Sequence, residues 1–253
     1  MDSAEGPEPL DGGLGKDSKP VKIGNTVHRQ PSERSSYVHQ VLQFLEHANF
    51  DWAPRFLGVD EQGWEVLSFI DGYVPHGQEV PEQTWSLETM QDIFGHVRQL
   101  HDLTSGSELA KEQECICHGD FSYANTVYRE GKAIAFIDWD WVHPGQRVDD
   151  VAYGILQYLS IGEFETEDDD PGERAHLAMA LAHAYGLNAS QRSTIPGRML
   201  DLLVATRDKQ LQAIRRGSPS AMKLAEAGVP SHLLKRHAWL TENIGYFVSA
   251  MTF

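Results

Sequence analysis

Three residues with oxygen-bearing side chains, Asp120, Asn125 and Asp138, stand close together in residues 115–140, which read C-I-C-H-G-D-F-S-Y-A-N-T-V-Y-R-E-G-K-A-I-A-F-I-D-W-D. An aspartate followed five positions later by an asparagine, with a second aspartate after a turn, is a set that phosphoryl transfer can use. One carboxylate orients an attacking hydroxyl and takes its proton, while an amide oxygen and another carboxylate hold Mg2+ on nucleotide phosphates. Each residue also has an ordinary structural use. An aspartate after glycine forms turns, and an asparagine can close the loop before a strand.

The local pattern says how these groups would be carried. Residues 115–117 form a short apolar run that reads as a strand, and Gly119-Asp120 turns out of it. Residues 126–129 and 133–137 read as two strands joined across Glu130-Gly131-Lys132. Asp120 and Asn125 therefore share one loop, and the second strand delivers Asp138 from the side.

On these residues the chain resembles the aminoglycoside phosphotransferase family, the small-molecule relatives of protein kinases that include choline and homoserine kinases. The family run H-G-D-x-x-x-x-N is matched by His118, Gly119, Asp120 and Asn125, and the I-D-W or I-D-F segment by Ile137-Asp138-Trp139. A D-L-A-like run opening a helix is matched by Asp150-Val151-Ala152. The resemblance implies Asp120 as catalytic base, Asn125 and Asp138 as metal ligands, and His118 as support for the loop. It implies Mg2+ and ATP or GTP as cofactors, and a small-molecule hydroxyl as acceptor. The implied fold is α+β and bilobal, protein kinase-like, with a short β-rich N-lobe and a mainly helical C-lobe.

The rest of the chain suits that organisation, read as a tail over 1–19, an N-lobe over 20–72 and a helical C-lobe over 73–253. Residues 20–23 and 26–30 read as strands joined by Gly24-Asn25. Residues 32–49 read as an amphipathic helix with Tyr37, Val38, Val41, Leu42, Phe44 and Leu45 on its apolar stripe, and Ser32 or Ser35 as cap. Residues 55–59 and 64–70 read as a second hairpin, after which Asp71-Gly72 marks the hinge. In a kinase-like fold the hinge meets the nucleotide base, which makes Phe69 a pocket candidate beside its plainer reading as a core aromatic. A helix over 84–103 carries Leu87, Met90, Ile93, Phe94, Val97 and Leu100 at helical spacing. Further helices are expected over 150–159, 173–185, 196–216, 221–227 and 231–250, with Gly186, Gly217 and Gly228 as stops.

The N-lobe departs from the family pattern. Kinases present a strand lysine, paired with a helix glutamate, to the nucleotide phosphates. Here Thr26-Val27-His28-Arg29 puts Arg29 in the lysine's place, and the helix offers His39 near the glutamate's place, with Glu33 and Glu46 toward its ends. Arginine is a competent phosphate ligand with a different reach. Asp11-Gly12-Gly13-Leu14-Gly15 is the candidate phosphate-covering loop.

Composition narrows the partners. At 253 residues the chain can bury a sizeable core, and no apolar run approaches a membrane span. The start lacks a charged-then-apolar leader pattern. Cys115 and Cys117, the only two cysteines, stand in poor geometry for a disulfide and have no partner set at zinc spacing, so a reduced, cytoplasmic protein is expected. A net charge of −16 argues against nucleic acid as a partner and is compatible with a cationic acceptor such as an aminoglycoside or amino-alcohol, although acidity also serves solubility alone. Asp140 is a candidate to meet that acceptor, and the acidic run 163–170 reads as a solvated loop between helices or, following the helix after the metal segment, as an overhang of the acceptor site. Two other readings share these residues: a non-catalytic relative that binds a nucleotide or metabolite as a sensor or scaffold, and a metal-dependent phosphate-ester hydrolase, which would want more carboxylate or histidine ligands.

Overall fold

A computed structural model describes residues 6–10, 19–75, 79–163 and 170–252. The glycines of the candidate phosphate-covering loop and residues 164–169 of the acidic run lie outside the described residues.

The first part is a five-stranded antiparallel sheet in the order β1-β2-β3-β5-β4. Its strands are β1 (Glu8–Pro9), β2 (Val21–Ile23), β3 (Thr26–Arg29), β4 (Phe56–Val59) and β5 (Glu65–Ser68), with helix α1 (Ser35–His47) between β3 and β4. The Gly24-Asn25 hairpin forms as expected, with Ile23 opposite Thr26 and Val21 opposite His28. The sheet begins earlier than the sequence suggested: Glu8 and Pro9 pair with Lys22 and Val21, so these residues of the expected tail form an edge strand. Helix α1 buries Val38, Val41, Leu42 and Leu45. It stops where Asn49 takes a left-handed conformation (φ 56°), tolerable for asparagine, and Phe50 N–H returns to the Leu45 carbonyl at 2.9 Å.

Beyond the hinge, α2 (Leu87–Thr104) opens with a helix cap: Ser86 Oγ accepts from Thr89 N–H. That cap explains why the helix begins after residue 84; the preceding Glu82–Trp85 form a 3₁₀ turn. Its stripe of Met90, Ile93, Phe94, Val97 and Leu100 is buried. Strand β6 (Cys115–Cys117) leads into the loop that carries Asp120, and β7 (Thr126–Arg129) and β8 (Lys132–Phe136) form the expected hairpin. Strand β9 (His143–Gly145), which sequence reading did not anticipate, pairs with β6 through Cys115–Gly145 and Cys117–His143. It is three residues long and contains Pro144, so it has no periodicity of its own.

The remainder is helical: α3 (Arg147–Tyr158), α4 (Pro171–Tyr185), α5 (Ala189–Arg192), α6 (Ile195–Arg215), α7 (Pro219–Glu226) and α8 (Val229–Thr252). Gly186 takes φ 89° at the end of α4, the left-handed stop expected there. Helix α3 packs against α6, and its Gly154 lies so close to Phe121 that a Cβ would meet the ring at 2.4 Å. This contact seats α3 directly behind the loop that carries Asp120. Among the described residues no helix is long and apolar enough to cross a membrane.

Candidate active site

The loop after β6 is held from below by Asp150, near the start of α3. Its Oδ2 accepts the His118 backbone N–H at 2.6 Å and its Oδ1 accepts that of Gly119 at 3.0 Å. His101 of α2 approaches the same carboxylate at 3.2 Å and turns its other nitrogen to the Tyr185 hydroxyl at 2.7 Å. Burial works against the Asp150 charge, but the His101 hydrogen bond, the nearby imidazoles and the Gly119 N–H outweigh it and hold the carboxyl below its ordinary range. Gly119 has no room for a side chain: at φ 80° a Cβ would come within 2.2 Å of the Trp141 carbonyl. The loop is thereby clamped between α3 and the segment that follows Asp138.

His118 ties the two functional loops together. Its Nδ1 accepts the Asp120 backbone N–H at 3.3 Å and its Nε2 faces the Ile137 carbonyl at 3.1 Å. A carbonyl only accepts and an amide N–H only donates, which assigns the proton to Nε2 and leaves the ring neutral. Burial pushes the ring toward the neutral form, against the pull of the Asp150, Asp120 and Asp138 carboxylates. His118 thus stands as support and is not itself exposed to a reacting group.

Asp120 is oriented through both of its oxygens. Tyr153 of α3 donates to Oδ1 at 2.7 Å and the Asn125 amide donates to Oδ2 at 2.8 Å. The same Asn125 nitrogen also donates to the Asp120 carbonyl at 2.9 Å. Asn125 therefore commits its N–H groups to Asp120 and leaves its amide oxygen for something else. The Ile137 N–H donates to the Asn125 carbonyl at 2.8 Å, so Asp138 begins beside Asn125. Asp138 itself takes the left-handed conformation (φ 61°, ψ 58°) and keeps a partly exposed carboxylate. Tyr153 is partly buried, and the desolvation of its hydroxyl together with the Asp120 charge keeps it protonated.

Arg29 reaches into this site from β3. Its Nε pairs with Glu65 at 2.7 Å, and one terminal nitrogen lies 2.7 Å from Asp140 and 3.9 Å from Asp138. Burial disfavours the guanidinium charge, but Asp140, Glu65 and Asp138 more than restore it and raise its pKa. Glu65, on β5 and 1% exposed, shares its other oxygen with His39 of α1 at 2.9 Å, and His39 stacks on Phe56. The strand–helix ion pair of kinases is here a three-residue relay in which the carboxylate comes from the next strand. Glu33 is exposed, and Glu46 pairs with Arg55. Phe69 is partly exposed at the hinge, its N–H bonded to the Asn25 carbonyl and its ring under the Lys22 ammonium at 4.4 Å. Asp140, expected to meet the acceptor, has its carboxylate turned to Arg29.

Residues 104–196 match the model of the phosphotransferase enzyme family. The chain is 30% identical over 209 residues to the trifolitoxin immunity protein of Rhizobium leguminosarum bv. trifolii, covering 73% of this chain and 76% of that protein. The chain belongs to the phosphotransferase enzyme family. Solved structures of similar fold include an amicoumacin kinase in complex with AMP-PNP, Ca2+ and Ami (TM-score 0.64, 13% identity, 92% of this chain and 88% of the other). Another is a Plasmodium vivax ethanolamine kinase (TM-score 0.65, 14% identity, 92% of this chain and 85% of the other). The protein kinase-like architecture inferred from the motifs is thus the observed one, and the chain is a small-molecule phosphotransferase.

The donor set of this phosphotransferase suits a hard divalent cation. An amide oxygen and a carboxylate, with no sulfur or imidazole between them, are ligands of the kind that Mg2+ accepts, leaving its remaining positions to water and phosphate. A second cluster of possible ligands has no such vacancy. His101, Cys115 and Cys117 bring ligand atoms within 4.8 Å of one another, all buried. Both His101 nitrogens are occupied, and the two free thiols face the Gly145 and Gln146 carbonyls. The Cys115 hydrogen bond, burial and the Asp150 charge all keep the Cys117 thiol protonated, so this set belongs to the packing under the catalytic loop.

Sequence reading missed Glu65, the loop-clamping role of Asp150, and Tyr153. For Glu65 a signal existed: it is a charged residue alternating into the buried face of an apolar strand, W-E-V-L. Tyr153 follows Asp150 by three positions, which places both on one face of α3.

Proposed function

We propose that this phosphotransferase moves the terminal phosphate of ATP or GTP to a hydroxyl of a small molecule, with Asp120 as proton acceptor. The observation that carries the reading is the orientation of Asn125, whose amide N–H groups fix Asp120, whose amide oxygen is not used in those bonds, and whose backbone carbonyl receives the N–H of Ile137, the residue before Asp138. Base and cation ligands are one hydrogen-bonded unit. Asp138 and the Asn125 oxygen would hold Mg2+, which supplies neutralisation of phosphate charge when bound. Tyr153 and Asn125 fix the carboxylate rotamer of Asp120, so that it meets the acceptor hydroxyl in one orientation and takes its proton late in transfer. His118 keeps the Asp120 and Asp138 loops in register. Arg29 supplies the charge that grips the nucleotide phosphates, with Asp140 as its partner in the absence of ligand. Phe69 sits at the hinge, where the base would lie. Buried free thiols and nucleotide dependence suit a cytoplasmic protein.

The name of the relative, an immunity protein, supports an acceptor that is an antibacterial compound inactivated by phosphorylation. A sensor or scaffold role is the alternative, favoured by the rewired Arg29–Glu65–His39 relay.

Nucleotide turnover across a panel of acceptors, by wild type and Asp120→Asn, tests the reading. Wild type should turn over at least one hydroxyl acceptor, and the variant should lose about 10²–10⁴-fold in turnover while still binding nucleotide. Nucleotide binding without transfer to any acceptor would favour the sensor. Loss of folding in Asp120→Asn would make the aspartate a turn residue.

A further inference from the structure

Next to the Asp120 loop, two cations bracket one tryptophan. Trp141 belongs to the turn after Asp138, and its carbonyl abuts Gly119, the residue before the base. Trp141 is 42% exposed, unusual for a large aromatic within a turn so tightly packed. The Lys209 ammonium of α6 stands 3.0 Å from the ring centroid, and the Arg34 guanidinium from the start of α1 stands 5.7 Å from it.

Neither cation has a carboxylate partner within ion-pair distance among the described residues. Arg34 donates to two backbone carbonyls, those of Asp140 and Val142, which orient it without neutralising its charge. Lys209 is an exposed residue and has no hydrogen bond among the described residues, so its ammonium is held over the indole face with its donors open. In a chain with 37 acidic and 21 basic residues, two adjacent cations left uncompensated near a catalytic carboxylate are the reverse of the general balance. Burial and the neighbouring Arg34 charge both lower the Lys209 pKa, and only the Asp120 charge opposes them. An anion placed between the two cations would relieve that repulsion and occupy the free donors of the ammonium. A flat or apolar part of the same molecule would lie on the exposed Trp141 face.

We propose that Lys209, Arg34 and Trp141 form the acceptor-recognition wall of this phosphotransferase, and that the acceptor carries a carboxylate or phosphate group in addition to its reacting hydroxyl. The proposal rests on the kinase reading above and reverses the cationic acceptor expected from net charge. The global charge of −16 acts at long range through screening solvent, whereas an acceptor in the cleft meets the two local cations first. A polycation would be driven against like charge there.

The test compares two sets of hydroxyl compounds with the full chain and Mg2+–ATP: D-glycerate, shikimate and glycerol 3-phosphate against choline, ethanolamine and kanamycin. Calorimetric binding of Mg2+–AMP-PNP is measured on the same samples, and intrinsic tryptophan fluorescence follows each acceptor in its presence. The anionic set should bind and be phosphorylated, with quenching that reports Trp141. Lys209→Met should raise the acceptor KM at least about tenfold, the loss of one charge-assisted hydrogen bond, with nucleotide affinity unchanged, and Lys209→Arg should restore part of it. Phosphorylation of the cationic set by wild type and Lys209→Met alike would overturn the proposal. So would an anionic set that neither binds nor reacts, or a Lys209→Met effect confined to nucleotide affinity. Absence of nucleotide binding in wild type would instead overturn the kinase reading on which the proposal stands.

Discussion

Asp150→Asn isolates the clamp beneath the catalytic loop. The wild-type carboxylate accepts from three groups: the buried His118 N–H at 2.6 Å, the partly buried Gly119 N–H at 3.0 Å and the buried His101 ring at 3.2 Å. Asparagine has nearly the same shape but keeps only one accepting oxygen, and its NH₂ then faces at least one backbone N–H. An unsatisfied buried donor costs about 1–3 kcal/mol, and the mismatch leaves two of them, one on each side. The total, about 2–6 kcal/mol, is centred on the usual cost of breaking a buried charged pair by removing one partner, about 3–5 kcal/mol. For a chain of this size that corresponds to a Tm lower by roughly 6–20 °C. Thermal unfolding followed by far-UV circular dichroism measures it.

The pH dependence gives a second readout of the same clamp. The folded-state pKa of Asp150 is depressed, so its contribution is present above the ordinary carboxylate value of 3.8 and is lost as pH falls through the folded value. The gap in Tm between wild type and Asp150→Asn should therefore be widest near neutral pH and close in that acid window. A variant within about 2 °C of wild type at neutral pH would refute the clamp, because it would require the loop N–H groups to find other partners at no cost. A gap independent of pH would refute the assignment of the effect to the Asp150 charge.

Asp138→Ala should abolish Mg2+-dependent stabilisation by nucleotide in a thermal shift assay, and equal stabilisation of variant and wild type would remove Asp138 from the metal site. Arg29→Ala should weaken nucleotide affinity by about 1.5–3 kcal/mol, read by calorimetry. It should also lower Tm, because the buried Glu65 carboxylate would keep only His39 as a partner. A lowered Tm with unchanged nucleotide affinity would assign Arg29 to architecture alone.

The candidate residues Asp120, Asn125 and Asp138 could be picked out because they lie within one short stretch, and the structure brings their loops together. Asp120 and Asn125 share a loop, and the β7–β8 hairpin that brings Asp138 back is specified by local turn and strand pattern. The helices with clean apolar stripes, α1 and α2, were legible for the same local reason. What supports the site is drawn from far along the chain and left no local trace. The Arg29 partner expected on α1 comes from Glu65 of β5, and the carboxylate under the loop is satisfied by His101 from α2. Asp140 was placed toward the acceptor, yet its carboxylate pairs with Arg29, a contact across 111 positions of sequence. Lys209 on α6 meets Trp141 because α6 packs on α3, a meeting that net charge could not indicate. Composition sums charge over the whole chain, whereas a cleft responds to the few groups that face it at ion-pair range. Sequence by itself determined the family, the kinase-like architecture and the three candidate reacting positions, because these reside in contiguous motifs and periodic stripes. Only the tertiary structure decided which charges are neutralised and which are left free beside Asp120, since pairing depends on distances of a few ångströms between elements that the chain separates widely.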